Sequence, residues 1–248
     1  MKRKICFLYT FGLLICVIGL AIPNTLKAQN QNTISSNEVR EHFDNFYKAD
    51  PRLISGDFYL TPQMSEATGD PFFIDANWKT GTATLLGVTF ENLLLRYDID
   101  SHQVILNTVN HTDSYLQIVL KKADLTEFTL AGELFVVYPK EDPVYGKLFA
   151  NAMVSGPIDF WITKSKNLKV TAGGISDYIY QTNIKKTLHY SDRLINYKGV
   201  NTLQKLLPQY KAQIKIFIRD KKLRFKRKSL ADHASIIAYC NQLIQSGE

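Results

Sequence analysis

Beyond residue 28 the chain has a single cysteine, Cys240; the other two, Cys6 and Cys16, lie near the N-terminus. One thiol forms no internal disulfide and is too few for a cysteine-based zinc site. Cys240 sits among Ile236, Ile237, Leu243 and Ile244, the setting of a buried inert thiol rather than a nucleophile. Phosphate-binding glycine loops are missing too. Ala172-Gly-Gly-Ile175 is too short, and there is no dinucleotide fingerprint or P-loop. There is no nucleophile elbow and no His-Glu-x-x-His. The five histidines, at 42, 102, 111, 189 and 233, include no i, i+4 pair. No stretch is rich enough in Pro, Gly or Ser to mark a linker, and no repeat or low-complexity tract occurs. These absences exclude a disulfide scaffold and the commonest nucleotide and zinc enzymes by signature. They leave open a site assembled only in three dimensions. No catalytic residue, metal or cofactor is assigned.

The N-terminus carries the most specific signal. Lys2, Arg3 and Lys4 precede an uncharged apolar run over 5–22, which Pro23 and Asn24 break before Leu26-Lys27-Ala28. That order predicts a secretory signal peptide over residues 1–28, cut near Ala28. The alternative is a retained anchor, for which about 18 apolar residues is the lower limit. Lipidation at Cys16 is disfavoured because Ile15 stands where a small residue is needed. Four lysines and arginines and no acids lie in residues 1–28, so the formal +7 of the whole chain falls to +3. The basic balance is partly a targeting effect, and no nucleic-acid partner is expected. The protein is expected in the periplasm or on the outer surface.

Residues 29–55 form an N-terminal segment in which Val39, Phe43, Phe46 and Tyr47 predict a short helix over 38–47, capped by Ser36 or Asn37. Residues 56–248 read as one β-rich domain. Strands are predicted at 57–60, 81–86, 88–99, 103–109, 115–121, 132–138, 147–154, 158–163, 178–182 and 187–197, with short connections that favour antiparallel neighbours. A meander or a partly closed barrel follows. From about residue 200 the period changes. Leu203, Leu206, Leu207, Tyr210, Ile214, Phe217 and Ile218 fit one helical face, with Pro208 opening a new helix. A second helix starts near Ser229 with Leu230, Ile236, Ile237, Cys240, Leu243 and Ile244 apolar. The fold class is therefore α+β, with two C-terminal amphipathic helices packed on the sheet.

Asp98, Asp100 and His102 are spaced i, i+2, i+4 within LLLRYDIDSHQVILN, and on a continuous strand they would share a face. Alternation stops at this polar group and resumes at Val104, so a hairpin tip is the better reading than a metal site. Asn110-His-Thr112 fits a glycosylation sequon.

The stretch Gly69-Asp-Pro-Phe-Phe-Ile74, then Trp78, Gly81, Gly87, Phe90 and Leu95-Arg-Tyr-Asp-Ile99, resembles a group of uncharacterised exported proteins of Bacteroidetes-type bacteria. That group has a PFF…W…G…G…LxYD core and two C-terminal helices. Leu203–Phe225 resembles its closing part, so the likeness spans most of 56–245. Phe90 stands at the group's usual tyrosine. The resemblance implies export and a β-rich fold and brings no active-site residues.

Two surface candidates remain. Phe72, Phe73, Trp78 and Trp161 are candidate ligand-binding aromatics, weighed against a place in the core. Lys221, Lys222, Arg224, Lys226, Arg227 and Lys228 form a basic patch, weighed against a solvated face. The expected function is that of a non-catalytic binding or structural module of the cell envelope. Envelope polysaccharide, anionic lipid or another envelope protein are the candidate partners. A carrier of lipid or another hydrophobic ligand is the alternative. A hydrolase, with Asp98, Asp100 and His102 as its residues, ranks below both.

Overall fold

The computed structural model describes residues 50–60, 67–109, 113–170, 178–225 and 230–247. The leader at 1–28, the helix expected over 38–47, and Lys226, Arg227 and Lys228 of the basic run lie outside the described residues.

Eleven strands build one sheet: β1 (Ala67–Thr68), β2 (Lys79–Leu85), β3 (Val88–Asp98), β4 (Gln103–Val109), β5 (Tyr115–Val119), β6 (Leu125–Leu130), β7 (Glu133–Asp142), β8 (Gly146–Val154), β9 (Asp159–Val170), β10 (Tyr178–Tyr190) and β11 (Arg193–Asn196). Their order is β1-β10-β9-β8-β7-β6-β2-β3-β4-β5, with β11 beside β10. Two meanders, β2–β5 and β6–β10, are joined through the β2–β6 pair. Among the described residues, only β1–β10 is a parallel pair. The sheet is thus mixed and open rather than a barrel, since β1 and β5 end it without pairing. Two short N-terminal segments, 57–59 and 67–68, lie against the outer strands β5 and β10. Phe58 bridges Ile118 of β5, and Ala67 and Thr68 pair with Tyr178 and Ile179 of β10.

Alternation along the strands sends one set of side chains inward. Ala83, Leu85, Leu95, Tyr97, Phe128, Leu130, Phe135 and Phe149 fill the main core. Phe128 and Phe135 are direct cross-strand partners, their rings stacked at 4.6 Å. Tyr97 and Phe149 meet the Phe128 ring edge-on, each at 5.3 Å, the geometry that aromatic quadrupoles favour.

Helices α1 (Val200–Leu206), α2 (Lys211–Asp220) and α3 (Leu230–Ser246) follow the sheet, with Pro208 opening a 3₁₀ turn between the first two. Leu203, Leu207, Ile214, Ile236, Ile237 and Cys240 are buried in one cluster with Ile158, Phe160, Ile162 and Leu188 of the sheet. Asn241 fixes α3 to this end: its amide accepts from Ile158 N at 2.8 Å and donates to Ile158 O at 2.9 Å. Burial pushes the Cys240 thiol up to about 12, so it stays protonated at physiological pH.

Strand boundaries depart from the sequence reading in several places: of the strand expected over 57–60 only an isolated bridge at Phe58 forms, β1 was not expected, and β9 runs on to Val170 past the expected end at 163. Residues 178–190 run as one strand, and Ser191 and Asp192, both at positive φ, turn it into β11, as two-residue hairpins require. Strand β6 was not foreseen at all. A register shift opposite Leu85 leaves Leu125 and Phe128 both buried although three residues apart, which breaks the period of two.

Candidate functional site

The tip of the β3–β4 hairpin is organised by Asp98, which is fully buried. Its Oδ1 accepts the amides of Asp100 at 2.9 Å and Ser101 at 3.0 Å, and its Oδ2 accepts the Tyr59 hydroxyl at 2.9 Å. The carboxylate thus closes the turn and ties it to a residue 39 positions away. Burial and the Asp98 charge push the Tyr59 phenol well above its ordinary value. His102 ends the turn at φ 54°, a left-handed position that histidine tolerates better than most residues. Its Nδ1 lies 3.2 Å from the Tyr97 hydroxyl, and its ring meets Tyr145 edge-on at 5.1 Å.

This tip reaches across the sheet because β8 and β9 splay apart. They pair at Asn151–Ile162, Ala152–Trp161 and Val154–Phe160, and no further pair is formed toward Gly146. Beyond the splay, the Lys166 N–H bonds to Ile99 O at 3.0 Å instead. A cleft of about 650 Å³ opens between the diverging strands. Asp100 and His102 form one wall. Asp142, Tyr145 and Leu148 form a second. Thr163, Lys164, Ser165 and Asn167 of β9, with Asn183 and Lys185 of β10, form the third.

The ionisable groups here are perturbed together. Burial, then the Asp98 charge, raises the Asp100 carboxyl. Burial, then Lys122, lowers the His102 imidazole. Burial also lowers Lys164, whose ammonium lies 4.2 Å from the Phe73 ring centroid, and Lys122, whose Nζ donates to Tyr145 O at 3.0 Å. The Asp142 carboxyl is lowered because the amides of Val144 and Tyr145 donate to it. Groups shifted in concert around a concavity mark a functional site more often than a random surface does.

Compared with known proteins, the chain matches no family model, no curated protein and no solved structure.

The aromatic candidates do not join this cleft's lining. Phe72 and Phe73 are buried, and Trp161 is buried and stacked on His189 at 4.9 Å. Trp78 is half-buried, with the Arg96 guanidinium 3.6 Å from its ring centroid. Cations and neighbouring rings pack against these faces. Lys221, Lys222 and Arg224 are exposed after α2, away from the cleft lining. Among the described residues, no group of three or more His, Cys, Asp or Glu is placed to hold a metal ion. Sequence reasoning singled out Asp100 and His102 but missed Tyr145, Asn167 and Asn183, whose polar types carried no spacing signal.

The histidine gives a test by pH. Its folded pKa is depressed, so below about 6.5 the unfolded chain takes up the proton more readily and stability falls with pH. Urea denaturation of the wild type and of His102→Asn, which keeps a residue tolerant of positive φ, is expected to diverge as pH drops from about 7 to 5. Asn should lose less stability over that interval. Parallel curves would place the imidazole in an unperturbed environment.

Proposed function

We propose that the protein is an exported, non-catalytic binding module of the cell envelope, and that the cleft between β8 and β9 holds a carbohydrate. The leader-like N-terminus supports export. The observation that carries the ligand reading is the cleft's lining. An exposed Tyr145 ring lies near amides, hydroxyls, carboxylates and ammonium groups that converge from three walls. Sugars need flat apolar contact for their C–H faces and forked donors and acceptors for their hydroxyls, and these side chains supply both. The volume falls within the range of small-molecule sites. Both oxygens of Asp98 accept protein hydrogen bonds, which supports a structural role for it and a binding rather than a hydrolytic reading. The aromatic filling of the main core argues against a lipid enclosed by the sheet.

Isothermal titration with neutral hexasaccharides and soluble peptidoglycan fragments tests the proposal. Binding to at least one is expected, with Tyr145→Ala and Asn167→Ala each about tenfold weaker, the worth of one stacking face or one to two hydrogen bonds. No new reducing ends should appear on incubation. Absence of heat with every probe, or unchanged affinity in both variants, would remove carbohydrate binding at this cleft.

A further inference from the structure

Between residues 198 and 225 there are eight lysines and arginines and one acid, Asp220. All eight cations are exposed. The single ion pair formed among them, within the described residues, is Arg219 with Asp220 at 3.1 Å. Charge is therefore segregated, for the chain beyond residue 28 has a net formal charge of only +3. Lys211, Lys215 and Arg219 repeat every four residues, which sets them in one stripe along α2. Ile216 lies beside that stripe and is 49% exposed. At the N-terminal end of the same segment is a groove of about 700 Å³. Ile195, Val200, Leu206 and Phe225 give it apolar walls, and the exposed Lys198 and Lys205 stand at its rim.

We infer that this helical end docks on an anionic lipid surface, its cations on the headgroups and the groove and Ile216 against the acyl boundary. Exposed cations alone fit any polyanion. Apolar surface set among them is what a bilayer offers and a soluble polyanion does not. Among the described residues no helix is long and apolar enough to cross a membrane. This surface is separate from the carbohydrate cleft, and neither inference depends on the other.

The full chain is floated with vesicles of phosphatidylcholine, alone or with about one-third phosphatidylglycerol. The quadruple variant Lys198→Gln, Lys205→Gln, Lys211→Gln, Lys215→Gln and the single variant Ile216→Ser are run beside it. The N-terminal apolar run is common to all three, so it cancels in the comparison. Each lysine near an anionic surface contributes roughly a fivefold gain in affinity, so the quadruple variant is expected to bind the anionic vesicles several hundred-fold more weakly. Ile216→Ser is expected to lose roughly fivefold. Wild-type binding should fall as salt is raised. The changes are at exposed positions, and an unchanged thermal midpoint confirms that folding is intact. Equal flotation of the quadruple variant and the wild type would reduce the cations to a solvated face and overturn the inference. So would salt-insensitive wild-type binding. Polygalacturonate binding as tightly as the anionic vesicles, with Ile216→Ser altering neither, would assign the surface to a polysaccharide instead.

Discussion

Replacing Phe128 with alanine is expected to lower the unfolding free energy by about 3–5 kcal/mol, the cost of a large cavity in a packed core. Phe128 is 1% exposed and touches three aromatic partners from β3, β7 and β8: Tyr97, Phe135 and Phe149. Truncation removes the stacked face and two edge contacts at once, and rings held from three strands have little freedom to collapse inward. Leu at this position retains most of the volume and is expected to cost less than half as much. The check is the urea midpoint at constant m-value. A loss below about 1 kcal/mol would mean that the rings form no tight quartet.

The second large effect is expected at Asp98. Alanine there leaves the Tyr59 hydroxyl and the amides of Asp100 and Ser101 without their acceptor in a buried place, for a loss of about 3 kcal/mol or more. Asparagine keeps one acceptor oxygen in nearly the same position and should lie between alanine and the wild type. The two variants also separate stability from function. In Asp98→Asn the chain remains folded at room temperature, yet the hairpin tip that holds Asp100 and His102 in the cleft is tied less firmly. Under the proposed carbohydrate reading, affinity should therefore fall further than stability does. If Asp98→Asn were as stable as the wild type and bound as well, the carboxylate would be an ordinary turn residue.

Much of the sheet was legible because β-branched and aromatic residues alternate between turn-forming clusters. The hairpin tip at 99–102 could be read in this way, since apolar alternation stopped and resumed around it. Leu125 and Phe128 escaped because β6 carries an extra residue, Thr126, where its pairing with β2 shifts register, a tertiary event without a local mark. The cleft was illegible for a related reason. Asp100, Tyr145 and Asn167 come from three separate hairpins, and only the divergence of β8 from β9 brings them together. Phe72 and Phe73 had the composition of a platform and of a core alike. The cations of Arg96 and Lys164 packed against their rings could not be inferred from distance along the chain.

The covering of both sheet margins by residues 57–59 and 67–68 bears on the order of assembly. Thr68 meets Ile179 across more than a hundred residues, so that pairing cannot nucleate early. During synthesis residues 57–59 find their partner once β5 is made, whereas residues 67–68 have nothing to lie against until β10, the last long strand, is made. Until then the amides and carbonyls of residues 67–68 stay open to any neighbouring chain. A partly made molecule is therefore the form most in need of a chaperone.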